Sequence, residues 1–211
     1  MTGIGIFGTS GLAGEVGDIA DALGLTAIYV ARDAAELVSW SSDQLAIVEA
    51  DVADHTDLMF VVGIGDSLIR RRVVERFAST LQFGNLLHPA ATFGRNQRSA
   101  VEHGIGNVVA AGVQMSNTIT VGNFCIVNAN ATIGHDVIIE DFVTICPGAT
   151  ISGNVQLAAG AWIGAGAVIN QGDRDRKLTI GAGAVIGSGA VVTRDCEAGG
   201  TYAGVPARRL R

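Results

Sequence analysis

From Val109 to Ile169 a branched or long aliphatic residue returns at every sixth position without a miss: Val109, Met115, Val121, Val127, Ile133, Ile139, Ile145, Ile151, Leu157, Ile163 and Ile169. A rhythm of 3.6 would give a helix face and a rhythm of 2.0 a half-buried strand, whereas a period of six belongs to the short-repeat parallel β-helices. Four residues after most of these positions stands a small or β-branched residue: Cys125, Ala131, Val137, Val143, Ala149, Val155, Ala161 and Ala167. Both sets can point into one narrow interior. The rhythm breaks at Gln171-Gly172-Asp173-Arg174-Asp175-Arg176-Lys177 and resumes at Ile180, Ile186 and Val192. A charged segment inside an apolar repeat reads as a loop extruded near 171–177.

At 211 residues the chain has room for one large domain or two modest ones. Its mean hydropathy is high, at +0.39. Yet the uncharged stretch from His103 to His135 is studded with Gly, Asn, Thr and Gln and lacks the run of about 18 apolar residues that a membrane-spanning helix needs. A solenoid core and a buried subunit interface explain the surplus, and no membrane partner is expected. The N-terminus reads as a strand entering a Gly-rich turn, without a basic n-region or cleavage site, so a cytoplasmic location is expected. Cys125, Cys146 and Cys196 lack paired metal spacing and read as small buried residues. A net charge of −6 with no Lys/Arg cluster argues against a nucleic-acid partner. The densest basic spot, Arg70-Arg71-Arg72, reads as a solvated helix start.

Residues 1–85 alternate strand and helix signals. Gly3 to Gly8 is a short buried strand, Gly11 to Leu23 a helix, Ala27 to Val30 a second strand and Phe60-Val61-Val62 a third, which implies a Rossmann-like parallel sheet of βαβ units. Residues 86–211 form the parallel β-helix, led in by Asn85-Leu86-Leu87-His88-Pro89, with residues 90–107 fitting the period only loosely. Three hexapeptides make one triangular coil, and β-helices of this period usually assemble as threefold trimers, so a homotrimer is expected.

Of the four histidines, His55, His88 and His103 sit in unremarkable places. His135 occupies the third position of a repeat whose first residue, Ile133, points inward, so its imidazole should face out at a corner. The adjacent Asp136 can fix the tautomer and stabilise the imidazolium, as a general base requires. In the N-terminal turn, Gly8-x-Ser10-x-x-Ala13 is a degraded dinucleotide fingerprint, and its backbone N–H groups can meet a phosphate at the helix N-terminus. The short N-terminal part suits a single nucleotide better than a dinucleotide. Asp33, after the second strand, could contact its base or ribose, or could equally cap a helix.

Together, the Gly8 to Gly14 turn, Phe60 to Arg70, Leu87-His88-Pro89, Asn128 to Asp136 and the ending Ala203-Gly204-Val205-Pro206-Ala207-Arg208 resemble the sugar O-/N-acetyltransferases related to bacterial sialic acid O-acetyltransferase and bacillosamine N-acetyltransferase. The resemblance covers nearly the whole chain. It implies a left-handed β-helix and acetyl transfer from acetyl-CoA, as co-substrate and without a metal, to a nucleotide-linked 4-amino-4,6-dideoxy sugar, as in surface-polysaccharide synthesis. On that pattern His135 is the base, Asp136 its acidic neighbour and Asn128 an asparagine near the reacting centre. Thr144, Ala165, Ser188, Pro206 and Arg208 would bind acetyl-CoA, and Gly8, Ser10, Gly11, Leu12, Asp33 and Gly65 would serve the sugar nucleotide. Trp162 is placed outward near the cofactor groove, packing either there or against a neighbouring subunit.

Two departures stand out. Thr144 replaces a second histidine of the bacillosamine enzymes, and Ser10-Gly11-Leu12-Ala13 lacks the histidine of the family's turn. Other readings remain open: O-acetylation of a sugar such as sialic acid, a zinc hydratase on the same solenoid, or a nucleotide-binding scaffold subunit. The hydratase would need three converging histidines, and no His pair lies near His135.

Overall fold

The computed structural model describes residues 3–40 and 43–210. Its N-terminal part is a five-stranded parallel sheet with the order β3-β2-β1-β4-β5. The strands are β1 (Gly3–Phe7), β2 (Thr26–Ala31), β3 (Ala46–Val48), β4 (Met59–Val62) and β5 (Gln82–Phe83), connected by α1 (Gly11–Ala22), α2 (Ala34–Ser39), a 3₁₀ segment Glu49–His55 and α3 (Ser67–Phe77). The sequence reading found β1, α1, β2 and β4, placed a helix start at Arg70 within α3, and left the others unassigned, because β3 and β5 are too short to carry a period.

From Leu86 the chain winds into three sheets, the faces of a triangular prism, parallel throughout except for the antiparallel closing strand Arg208–Arg209. From Val108 to Ile151 each two-residue strand pairs with one 18 positions on, as Thr144 does with Trp162. Every hexad residue from Val109 to Ile169, and every partner four places later from Val113 to Ala167, is buried. These side chains form one core that runs the length of the solenoid. Backbone φ is positive at every sixth residue from Gly106 to Gly166, including Thr118, Phe124, Asn130, Asp136, Phe142 and Asn154. These left-handed residues are the corners: the hexad therefore specifies both what fills the prism and where it turns. The fold is a Rossmann-like sheet domain joined to a left-handed parallel β-helix.

The loose segment 90–107 contains a short helix, Gln97–Glu102, that covers the first coil. Past the interruption the pairing step lengthens from 18 to 23 positions, as Trp162 pairs with Val185. The extra length is the extruded loop.

The two parts share their packing. Leu86, Val108 and Ile126, on the outer surface of the first face, join Ile4, Ile6, Ala13, Val16 and Tyr29 in one buried cluster. Phe124 and Phe142, from the edge beside that face, stack at 5.3 Å and enter the cluster around Phe7, Phe60 and Phe77. Arg70 corrects the sequence reading of a solvated helix start. Its side chain is fully buried, with Nε donating to Phe124 O, Nη1 to Ile64 O and Gly65 O, and Nη2 to Phe142 O and Thr144 Oγ1, at 2.7–2.9 Å. Among the described residues no carboxylate pairs with it, and burial pushes the guanidinium down to about 10.

Candidate active site

His135 stands on the edge between the second and third faces, with its side chain 65 % exposed. Its Nδ1 lies 2.7 Å from Asp136 Oδ2. A carboxylate only accepts, so Nδ1 carries the proton and Nε2 keeps the free lone pair that a base needs. Asp136 reaches back because it is itself a corner residue, at φ 58°. One coil further on, Gly153 lies beneath the ring: a Cβ there would stand 2.6 Å from His135 Cε1 and Nε2.

The extruded loop returns to this same edge. Lys177 Nζ donates to the backbone oxygen of Asp136 and, at 3.0 Å, to Asn154 Oδ1. Asn154 Nδ2 in turn donates to Asp173 O and Arg176 O. A polar cavity of about 540 Å³ results, lined by His135, Gly153, Asp173, Arg174 and Lys177 among others.

The residues the resemblance ties to acetyl-CoA lie elsewhere. Asn128, Ala165, Ser188 and Pro206 each follow a strand of the first face, so they line the edge between the first and second faces. Backbone bonds run down that edge, with Gly148 N donating to Ala129 O, Gly166 N to Pro147 O and Gly189 N to Ala165 O. Ala165, Ser188, Pro206 and Arg208 are exposed. Asn128 is buried, and its amide donates to Ile145 O at 2.9 Å. A single chain thus carries the two groups of residues on separate edges of the prism.

Thr144 requires a correction. It is fully buried, its hydroxyl donating to Gly65 O at 2.9 Å while accepting from Arg70. It points outward from the first face, directly under the N-terminal domain, so the seam and not an open groove surrounds its hydroxyl. Gly65 belongs to the same contact, its carbonyl taken by Arg70 and Thr144. Trp162, on the same face, lines a cleft of about 650 Å³ with Asp66, Ser67, Leu68, Arg71 and Val185.

In the N-terminal sheet β2 and β4 flank β1 on opposite sides, and ligands of such sheets bind beyond the carboxyl ends of the strands at that reversal. A cavity of about 400 Å³ lies there, bounded by Gly8, Thr9 and Ser10 after β1, Arg32 and Glu36 after β2, Glu49 after β3 and Ile64 after β4. Asp33, read from the sequence as either a nucleotide contact or a helix cap, is the N-cap of α2: Oδ1 accepts from Glu36 N and Oδ2 pairs with exposed Arg32. Leu12 turns into the buried cluster shared with the solenoid, and Gly11 stays outside the cavity lining. The sequence reading missed Arg32, Glu36, Glu49, Lys177 and Gly153. Only Gly153 had a legible signal, a glycine 18 positions after His135 and hence one coil away.

All three cysteines are buried. Burial pushes the Cys125 thiol up to about 12 and those of Cys146 and Cys196 up to about 11, so none offers a thiolate nucleophile near neutrality. Among the described residues no three His, Cys, Asp or Glu side chains converge as metal ligands, and no helix is long and apolar enough to cross a membrane.

Residues 3–77 match the family model described as PglD N-terminal domain, and residues 118–153 match bacterial transferase hexapeptide (six repeats). GDP-perosamine N-acetyltransferase of Escherichia coli O157:H7 is 38% identical over 164 residues, covering 75% of this chain and 71% of that protein. Perosamine N-acetyltransferase of Caulobacter crescentus, solved as a histidine-to-asparagine variant with CoA and GDP-perosamine, superposes with a TM-score of 0.85 at 25% identity over 99% of this chain and 97% of that one. The acetyltransferase domain of PglB from Neisseria gonorrhoeae FA1090, in complex with acetyl coenzyme A, gives 0.84 at 27% identity over 99% of each.

Proposed function

Because the chain belongs to the hexapeptide-repeat sugar N-acetyltransferases, the family of GDP-perosamine N-acetyltransferase, we propose that it moves the acetyl group of acetyl-CoA onto the 4-amino group of a nucleotide-linked 4-amino-4,6-dideoxy sugar. The observation that carries the reading is the His135-Asp136 corner, a base with its tautomer fixed and Nε2 free. The amine attacks the thioester carbonyl directly. The C–N bond forms to give a tetrahedral adduct, His135 Nε2 takes the proton from the attacking nitrogen, the adduct collapses with cleavage of the C–S bond, and the His135 imidazolium returns that proton to the leaving thiolate. Much of the rate enhancement comes from aligning the two substrates. Buried, un-ionised thiols favour this ternary-complex route over an acetyl-enzyme.

The supporting geometry is the separation of the candidate residues onto two edges. In a homotrimer the His135 edge of one subunit faces the Asn128, Ala165 and Ser188 edge of the next, and acetyl-CoA runs along that second edge towards Pro206 and Arg208. The N-terminal unit, residues 1–85, holds the nucleotide through the Gly8 and Ser10 turn, and the loop at 171–177 borders the base. The enzyme works in the cytoplasm and serves surface-polysaccharide synthesis.

Thiol release from acetyl-CoA, measured against GDP-, UDP- and dTDP-linked 4-amino sugars, tests the reading. His135→Ala should lower kcat by about 10²–10⁴-fold without changing the oligomeric state. Unaltered turnover in that variant, or failure of every amino sugar to accept acetyl, would sink the proposal.

A further inference from the structure

A corner of the prism can leave its own carbonyl without a donor. The N–H of a corner residue donates back one coil, as Asp136 N does to Asn117 O and Phe142 N to Asn123 O. The corner carbonyls of Phe124, Asp136 and Phe142, however, receive no backbone N–H among the described residues. At Phe124 and Phe142 the buried Arg70 guanidinium fills the gap. At Asp136 an ammonium does so: Lys177 Nζ donates to that carbonyl and to Asn154 Oδ1. Lys177 closes the extruded loop and stands 41 positions from Asp136 in the chain. Asn154 is the corner one coil further on, at φ 57°, and its N–H donates to His135 O. Its amide also holds Asp173 O and Arg176 O, while Gly172 N donates to Gly153 O. The loop is therefore fastened at both ends to the coil beneath His135, and it delivers one half-buried cation to the residue that orients the base.

We infer that Lys177 is a positioning residue for His135, acting through Asp136: it locks the corner whose carboxylate keeps the imidazole in the tautomer with Nε2 free. The inference rests on the acetyl-transfer reading above and adds to its machinery a residue from the extruded loop. Among the described residues Asp136 is the one hydrogen-bond partner of the His135 ring, which is otherwise largely exposed. The imidazole is thus only as well placed as that carboxylate. A donor on Asp136 O fixes the peptide plane that follows, and with it the left-handed turn that aims Oδ2 at Nδ1. A charged donor does this more firmly than a neutral one, because charge-assisted hydrogen bonds are the stronger class. An apolar side chain at 177 would leave Asp136 O and Asn154 Oδ1 unpaired together and free the corner to move.

Steady-state kinetics of the full chain carrying Lys177→Met or Lys177→Arg, with both substrates varied, provide the first test. K177M should lower kcat about 10–100-fold and leave both KM values within about threefold, the pattern of an interaction needed only in the transition state. K177R, which still carries charged donors, should recover most of that loss. Nitrogen-15 NMR of the neutral His135 imidazole adds a readout independent of turnover: the wild type should carry the proton on Nδ1, and K177M should show a mixture of both tautomers. An unchanged kcat in K177M, a loss confined to either KM, or the wild-type tautomer retained in K177M would overturn the inference. If K177M does not fold, Lys177→Gln, which keeps a donor and loses the charge, is read by the same criteria. A tautomer that depends on Lys177 in a chain that acetylates no amino sugar would retain the positioning role and sink the acetyl-transfer reading, whereas full acetylation by K177M would do the reverse.

Discussion

Asp136 does two jobs that the hexad assigns to one position. As a corner it must adopt a left-handed φ of 58°, a region that disfavours most side chains but is tolerated by Asp and Asn. As a carboxylate it must reach His135, and that backbone turn is what brings Oδ2 to within 2.7 Å of Nδ1. Gly153 completes the arrangement by leaving room for the ring, and its own φ lies outside the left-handed region. Gly153→Ala should therefore fold normally yet displace the imidazole. A displacement of about 1 Å can cost on the order of 10²-fold in rate, so kcat should drop about 10–100-fold while the melting temperature stays within a few degrees. Thermal denaturation alongside steady-state kinetics checks this, and a fully active variant would mean that the ring need not lie over the next coil.

At the scale of elements, α3 governs how the two halves of the chain meet. Asp66 caps its first turn, accepting from Leu68 N and Ile69 N at 2.9 Å, and this start places Arg70 against the solenoid. The same contact explains two costly corners. Phe124 and Phe142 adopt φ of 54° and 61°, a strain of about 1–3 kcal/mol each, offset by burial in the N-terminal core and by the Arg71 guanidinium 4.2 Å over the Phe142 ring. Arg70→Ala should destabilise the protein by roughly 2–6 kcal/mol, because at least two buried carbonyls lose a donor at about 1–3 kcal/mol each. Denaturant unfolding measures the loss. A change below about 1 kcal/mol would show that water replaces the guanidinium at this seam.

At the scale of the whole molecule, the solenoid distributes the proposed chemistry over two edges, and no bend within a rigid stacked prism can merge them. A second subunit can. Co-expressed His135→Ala and Asn128→Ala chains should recover part of the activity that each lacks alone, since a mixed trimer pairs an intact His135 from one chain with an intact Asn128 from another. Differentially tagged chains, purified through both tags, allow the assay. If mixed assemblies form and stay as inactive as the parents, the two residues do not share an intersubunit site.

Much of this was legible in the residues themselves. The hexad determined the prism, its filling, its corners and the outward placement of His135, because each coil is built locally and repeats itself. The βαβ pattern determined the N-terminal sheet, and the break at 171–177 an extruded loop. The tertiary structure decided what depends on docking one unit against another. It buried Arg70 among backbone carbonyls, took Thr144 and Gly65 into the seam, chose the cap over the nucleotide contact for Asp33 and brought Arg32, Glu36 and Glu49 together around one cavity. None of these contacts has a sequence period. Each joins groups distant in the chain or chooses among local hydrogen-bond partners, and a polar side chain's role is set by the partner it finds there rather than by its place in a repeat.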